Sequence, residues 1–245
     1  MNDTGIVRPM SERTLIVVPT YNERDNVEEV VRQFLAPVAS AELLFVDDNS
    51  PDGTGDLLDQ IAENNTRVHV MHRAGKLGLG TAYLDGFRWA LERNYDYILE
   101  MDADFSHDPK YLPDMVRLAR EGADMVVGSR YVKGGGTINW GLGRQFISRC
   151  GSLYARSILG VRVRDLTSGF ACYRRQTLEQ LDLDQVKSNG YSFQIEMKYR
   201  VLKTGMQVSE LPIVFEDRRV GQSKMSRTIF MEALLMVWKL RASVK

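Results

Sequence analysis

The amino-acid sequence predicts an α/β protein with a mostly parallel sheet and helices on both faces. Between residues 14 and 128, short apolar runs rich in β-branched residues alternate with longer stretches of helical periodicity. The runs are apolar throughout, as in a sheet buried on both sides. Each cluster of acids or glycines falls just after a run, where open α/β sheets bind ligands beyond the carboxyl ends of their strands.

The elements follow in order. Leu15 to Val18 is a strand, Pro19-Thr20-Tyr21-Asn22 a turn, and Val27, Val30, Val31 and Phe34 mark a helix by their spacing. Leu43 to Val46 is a second strand, followed by a polar turn and a helix from about Thr54 to Ala62. Val68 to Met71 and Tyr97 to Met101 are strands flanking a helix over Thr81 to Leu91. Tyr111 to Arg120 is helical and Met125 to Val127 a fifth strand. Strand, helix, strand at this spacing requires parallel pairing through right-handed crossovers.

The second half differs. Residues 130–175 hold nine Arg or Lys and one acid, Asp165. Phe146, Leu153, Tyr154, Ser157 and Ile158 predict an amphipathic helix with Arg144, Arg149 and Arg156 nearby. Phe170 to Tyr173 and Val208 to Phe215 can add strands, and Phe193 to Leu202 a helix. From Arg218 onward there are seven basic residues and one acid, Glu232, around an apolar helix near Ile229 to Leu240. With no repeat or low-complexity linker, residues 1–245 read as one domain with an acidic-motif half (14–128) and a basic half (129–245).

Composition narrows the function. Lys+Arg is 32 and Asp+Glu is 32, a zero net charge that argues against a general nucleic-acid binder. Hydrophobic residues at 44% and charged residues at 26% exclude a largely disordered chain. Two cysteines do not make a disulfide scaffold, and with three scattered histidines they make a weak zinc case. Cys150 and Cys172 are expected to be small core residues in a reducing cytoplasm. The N-terminal segment MNDTGIVRPMSERT lacks the apolar core of a signal peptide. The longest stretch without Asp, Glu, Lys or Arg is the ten residues Gly134 to Gly143, well short of a membrane span.

The chemistry sits at the strand ends. Asp102 and Asp104 flank Ala103 directly after a strand, and alternation puts the two carboxylates on one side. Such a pair can hold Mg²⁺ or Mn²⁺, hard cations that also bind phosphates; the alternative is a solvated loop. After the second strand comes Asp47-Asp48-Asn49-Ser50-Pro51-Asp52-Gly53. Asp47 and Asp48 are assigned to ligand hydroxyl or base N–H groups, and Asp52 to the turn. Gly75-Lys76-Leu77-Gly78-Leu79-Gly80 precedes a helix but fails as a dinucleotide fingerprint, because Tyr83 occupies the third glycine position. Lys76 is left to phosphate or to solvent. Gly134-Gly135-Gly136 reads as a mobile loop or a plain linker. Arg156, Arg162 and Arg175 suit a solvated helix face. His69 and His72 take local structural roles, and His107 takes either that or a substrate contact. The apolar C-terminal helix either docks on the core or lies in a membrane interface.

Seven motifs together resemble one family. They are Val18-Pro19-Thr20-Tyr21-Asn22-Glu23, Val46-Asp47-Asp48-Asn49-Ser50-Pro51-Asp52-Gly53-Thr54, Gly78-Leu79-Gly80-Thr81-Ala82-Tyr83, Met101-Asp102-Ala103-Asp104-Phe105-Ser106-His107, Gly128-Ser129-Arg130-Tyr131, Leu166-Thr167-Ser168-Gly169-Phe170 and Gly221-Gln222-Ser223-Lys224. In this order they resemble the polyprenol-phosphate (dolichol-phosphate) mannose synthases, inverting glycosyltransferases of GT-A fold. The resemblance implies that GDP-mannose binds with Pro19, Tyr21, Glu23, Asp47 and Asp48 around the nucleoside and Lys76 and Gly78 close by. It also implies a divalent cation, Mg²⁺ or Mn²⁺, on Asp102 and Asp104 with Ala103 between them. By the same resemblance, Arg130 is expected to face the acceptor phosphate, Arg218 and Lys224 to lie near phosphate, and Asp165 and Ser168 to lie close to the sugar. Where some members carry a metal-binding glutamine, this chain has Ser106.

The implied acceptor is a polyprenyl monophosphate in a membrane. The implied protein is the short form without transmembrane segments, peripheral on the cytoplasmic face or relying on a separate membrane-anchoring protein. Rival readings are a polyprenyl-phosphate glucosyltransferase using UDP-glucose, a sugar nucleotidyltransferase, and a non-catalytic nucleotide-sugar-binding subunit.

Overall fold

The computed structural model describes residues 12–216 and 227–244. Seven strands form the main sheet, in spatial order β3-β2-β1-β4-β7-β5-β8. In chain order these are β1 (Thr14–Thr20), β2 (Ala41–Asp47), β3 (Val68–His72), β4 (Tyr97–Glu100), β5 (Met125–Ser129), β7 (Ala171–Arg174) and β8 (Val208–Pro212). A separate parallel pair joins β6 (Gly136–Ile138) to β9 (Val214–Glu216). The helices are α1 (Val27–Leu35), α2 (Thr54–Asn64), α3 (Leu79–Glu92), α4 (Leu112–Arg120), α5 (Leu142–Leu159), α6 (Arg175–Gln180), α7 (Gly190–Lys203) and α8 (Arg227–Ser243).

The period of two in the strands builds two cores. Ile16 and Val18 of β1 join the layer under α1, α2 and α4, whereas Leu15 and Val17 join the layer under α3 and α7. This is the mostly parallel, doubly covered sheet that the apolar runs predict. At Gly86 the helix α3 lies so close to β1 that a Cβ would come within 2.4 Å of Val17 Cγ1.

One strand departs from the parallel rule. β7 runs antiparallel to both of its neighbours, pairing Leu99 with Cys172 on one side and Val126 with Cys172 on the other. It separates β4 from β5, which the local sequence would place side by side. β7 follows α5, which packs in a separate cluster with α7 and α8 and not across a face of the sheet, so the connection does not enforce parallel pairing. Its effect is to bring the segment 165–170 to the end of β4.

A third apolar cluster lies outside the sheet. Ala155, Ile158 and Leu159 of α5 pack with Ile195 and Tyr199 of α7 and with Val237 and Leu240 of α8. The C-terminal helix therefore docks on the core, and it also exposes Leu235 and Trp238. Of the two cysteines, Cys172 is buried as expected, whereas Cys150 is exposed on α5. The Gly134-Gly135-Gly136 segment leads into β6, which β9 pairs.

Candidate active site

Four strand ends on one edge of the sheet supply the site. After β4, Asp104 is buried and its Oδ1 accepts from the Ser106 amide at 3.0 Å. Asp102 Oδ1 accepts from the Tyr83 hydroxyl of α3 at 2.8 Å. Burial, then the charge of Asp102, pushes the Tyr83 hydroxyl well above its ordinary pKa, so it stays a neutral donor. Ala103 between the two acids is buried in the apolar layer under α1, α2 and α4. Ser106 Oγ is buried with no hydrogen-bond partner among the described residues.

After β2, Asp48 meets Arg73 at 2.5 Å, and Arg73 also reaches Asp85 at 3.1 Å and the Thr81 hydroxyl at 2.6 Å. Both ions of the Arg73–Asp48 pair are almost fully buried. Gly78 donates its amide to Asp48 at 3.4 Å and has φ 104°, a backbone setting that favours glycine. Arg73 thus joins Asp48 to the loop holding Lys76 and Gly78, and Lys76 Nζ lies 3.9 Å from the centroid of the Tyr21 ring.

Asp47 differs from the expectation that it meets a ligand. It is 1% exposed, and its oxygens accept from the Thr20 hydroxyl at 2.9 Å, the Ser50 amide at 2.9 Å and the Ser50 hydroxyl at 2.6 Å. Its carboxylate shapes the loop, whereas Asp48 is held by Arg73 and the Gly78 amide. Asp52 serves the turn as expected, accepting from the Thr54 amide at 3.0 Å and the Thr54 hydroxyl at 2.6 Å. Pro19, Tyr21 and Glu23 are half-buried at the end of β1.

On the other side of the site, Arg130 follows β5 and forks onto Asp165. Nε and Nη2 each donate at 2.7 Å, the Arg130 amide adds a third bond at 3.0 Å, and Nη2 also reaches Thr167 Oγ1 at 2.9 Å. Burial raises the Asp165 pKa, but the charge and hydrogen bonds of Arg130 outweigh it and hold the carboxyl below its ordinary value. The guanidinium carbon lies 5.2 to 5.6 Å from the ring centroids of Tyr131, Trp140 and Phe215. The segment 165–169 meets the acidic motif directly, since a Cβ on Gly169 would sit 3.6 Å from Asp102 Oδ2. Ser168 is buried there, and its carbonyl accepts from Lys198 Nζ at 2.7 Å.

Lys198 is fully buried on α7 and also reaches Gln194 Oε1 at 3.0 Å. Burial lowers its pKa to about 8 against the pull of Glu100. Glu100, on β4 two residues before Asp102, is pushed up to about 7 by burial, with Lys198 opposing, and accepts from the Tyr173 hydroxyl at 2.9 Å.

The structure brings together most of the residues expected to act. Tyr21 meets Lys76, Asp48 meets Gly78, Asp165 meets Arg130, and Ser168 lies beside Gly169 at Asp102. Arg218 and Lys224 lie outside the described residues. His107 is buried, with its ring centroid 5.1 Å from that of Phe170 and 5.2 Å from that of Phe215. His69 meets Glu42 and His72 meets Asp59, both local roles. Sequence reasoning missed Arg73, Tyr83 as the partner of Asp102, and Lys198. A glutamate inside an otherwise apolar strand, Glu100, was the available signal for the last of these. Arg73 had none, because a lone arginine after a strand reads as surface.

The fold and this edge of carboxylates define a nucleotide-sugar transferase of GT-A type. Residues 15–182 match the family described as Glycosyl transferase family 2, and the chain belongs to that family. The chain is 46% identical over 242 residues to the polyprenol monophosphomannose synthase of Mycolicibacterium smegmatis, covering 98% of this chain and 91% of that protein. It is 47% identical over 232 residues to the undecaprenyl-phosphate mannosyltransferase of Micrococcus luteus, covering 94% and 95%. In fold it is similar to the glucosyl-3-phosphoglycerate synthase of Mycobacterium tuberculosis, solved with Mn²⁺, UDP and glucosyl-3-phosphoglycerate. There the TM-score is 0.67 at 18% identity, over 96% of this chain and 81% of that one. A mannosyltransferase of Pyrobaculum calidifontis with GDP-Man and Mn²⁺ aligns at TM-score 0.56 and 16% identity, over 95% and 73%. Among the described residues no helix is long and apolar enough to cross a membrane.

Proposed function

We propose that this glycosyltransferase moves mannose from GDP-mannose to a polyprenyl monophosphate with inversion, giving a polyprenyl β-mannosyl phosphate and GDP. The observation that carries the reading is the approach of Gly169, on the loop whose Asp165 holds Arg130, to Asp102 of the acidic motif, in a chain close in sequence to two polyprenyl-phosphate mannosyltransferases.

The donor set fits a hard cation. Asp102 and Asp104 offer oxygen ligands at one strand end, with the unpartnered Ser106 Oγ two residues on. Among the described residues no third acid, histidine or cysteine completes a cluster, so substrate phosphate and water oxygens would fill the remaining positions. Bound there, Mg²⁺ or Mn²⁺ would neutralise charge on the departing diphosphate.

The chain's own residues do the rest. Tyr21, Glu23, Asp48, Lys76, Gly78 and Pro19 enclose the nucleoside, with Arg73 keeping Asp48 in place. Tyr83 aims Asp102 by its hydrogen bond. The nucleophile is a phosphate monoester, whose second pKa near 6 leaves it largely ionised at neutral pH, so no general base is required. The task is to hold two anions in line for displacement at the anomeric carbon. Arg130, oriented by Asp165, meets the acceptor phosphate, and Arg218 and Lys224, outside the described residues, are assigned to phosphate by the family resemblance. Ser168, held by Lys198, borders the sugar. The work is done on the cytoplasmic face of a membrane, where the two free thiols suit the reducing compartment.

The test is transfer of labelled sugar from GDP-mannose and UDP-glucose to a short polyprenyl phosphate, with and without EDTA. Metal-dependent labelling from GDP-mannose is expected. Labelling from UDP-glucose alone would replace the donor, and none from either donor by a folded, nucleotide-binding sample would overturn the transferase reading.

A further inference from the structure

We propose that a cavity beneath α5 holds the phosphate headgroup of an anionic bilayer phospholipid, separate from the acceptor that reacts. The cavity measures about 550 Å³ and is lined by Arg149, Leu153 and Arg156 of α5, by Arg164 and by Arg130. Positions 149, 153 and 156 share one helix face. Arg73, Arg130 and Arg200 each meet a carboxylate, but among the described residues no acid forms an ion pair with the guanidinium of Arg149, Arg156 or Arg164; Glu210 accepts only the Arg164 backbone amide, at 2.9 Å. Arg156 Nε is buried with no hydrogen-bond partner among those residues. Three like charges converging on a concavity call for a counter-anion, and guanidinium forks match the paired oxygens of phosphate.

The surroundings of the cavity identify a lipid. The α5 sequence contains three arginines and no acid. It exposes Leu142 at 85%, Phe146 at 70% and Leu153 at 58%, beside Leu235 at 69% and Trp238 at 56% on α8. The two helices are tied by Trp238 Nε1 donating to the Tyr154 hydroxyl at 3.0 Å. Large apolar side chains beside a basic cavity complement a phosphate that carries hydrocarbon. The reacting acceptor belongs elsewhere. Its phosphate must meet the sugar near Asp102 and Asp104, and neither lines the cavity. Arg130, held by Asp165, is the shared wall and the one arginine of the lining that the proposed function gives to the acceptor.

The inference rests on the reading that the acceptor is a membrane lipid, and the experiment separates the two. Flotation of the full chain would compare vesicles of phosphatidylcholine alone with vesicles in which about one third is phosphatidylglycerol, chosen for its negative surface. The wild type should favour the anionic vesicles and lose them as salt rises. The variant Arg149→Gln/Arg156→Gln/Arg164→Gln should bind them roughly 100-fold more weakly, from the loss of three surface cations. It should still transfer sugar to a short, soluble polyprenyl phosphate near the wild-type rate. The all-lysine counterpart should fall between, because charge remains and the fork is lost; it also controls for folding.

Equal vesicle binding by wild type and the glutamine variant, with either lipid, overturns the proposal. A raised acceptor KM in the soluble assay would give the cavity to the acceptor phosphate instead. Wild-type vesicle binding indifferent to phosphatidylglycerol, together with a thermal shift from inorganic phosphate that the glutamine variant lacks, would make it a free-phosphate site. Failure of the wild type to transfer any sugar would sink the proposed function while leaving the vesicle comparison intact.

Discussion

Arginine is used in opposite ways at the two ends of the sheet. On the donor side, Arg73 is sealed beneath the edge by Asp48, Asp85 and Thr81, with almost no exposed surface. In the basic half, Arg149, Arg156 and Arg164 line an open cavity, and none of their guanidinium groups forms an ion pair among the described residues. Apolar side chains follow the same division. Among the described residues, the first half exposes the large apolar side chains Leu77 and Leu79, whereas the second exposes Ile138, Leu142, Phe146, Ile147, Leu153, Leu235 and Trp238. A region complete in itself satisfies its charges internally. A region built to meet a surface leaves both charge and hydrocarbon uncovered.

The comparison can be broken first at the acidic motif. Asp104→Ala should lower transfer by roughly 1000-fold or more, since it removes a ligand of the expected cation and with it stabilisation of the leaving group. Metal-dependent nucleotide binding by calorimetry should weaken in parallel, while vesicle binding stays as in the wild type. If vesicle binding falls with transfer, the two regions are not separable.

Stability distinguishes the two sets of arginines more directly. Arg73→Met strands Asp48 in a buried position and should cost about 3 to 5 kcal/mol in urea unfolding, with a raised donor KM. Arg156→Gln removes a charge that no acid balances among the described residues and should change stability by about 0.5 kcal/mol or less. Equal losses would mean that Arg156 has a structural role like that of Arg73.

Arg130 tests the border between the regions. Lysine keeps the charge but cannot fork onto Asp165, so Arg130→Lys should lower kcat/KM for the acceptor by roughly 100-fold, at the scale of a charge-assisted pair. The donor KM should hardly move. A change confined to the donor would remove Arg130 from the acceptor side.

The sequence exposed these regions unevenly, for physical reasons. The strands of the first half are buried on both faces, so their composition alone marks them, and the acids after β2 and β4 stand where the sheet presents ligands. β7 could be recognised as a strand but not oriented, because nothing local in Phe170 to Tyr173 records that it enters between β4 and β5. Asp47 and Asp48 are neighbours of identical chemistry. Only their partners separate them: Thr20 and the nearby Ser50 tie Asp47 into the loop, whereas Arg73, from another segment, takes Asp48. The cavity of arginines was legible as a basic stretch, but its concavity comes from packing α5 against the loop that carries Arg164.

Lys198 provides the finest test of how the donor and acceptor sides are joined. Its ammonium is fully buried, donates to the Ser168 carbonyl at 2.7 Å, and is lowered to about 8 from 10.5, first by burial and against the pull of Glu100. A depressed folded value means that the unfolded chain binds more protons between the two values. The stability Lys198 contributes is therefore full above 10.5 and is lost as pH falls towards about 8. Lys198→Met abolishes that titration, so the stability gap between wild type and variant should widen with rising pH, by about 1.4 kcal/mol per unit at most. Urea unfolding from neutral pH into this window checks it. The neutral amine still has N–H groups to donate to Ser168, so the loop beside Asp102 keeps its anchor across the window. A gap independent of pH would mean that Lys198 stays charged throughout, with an ionised Glu100 as its partner. The link between β4 and the 165–169 loop would then be a buried ion pair rather than a hydrogen-bonded one.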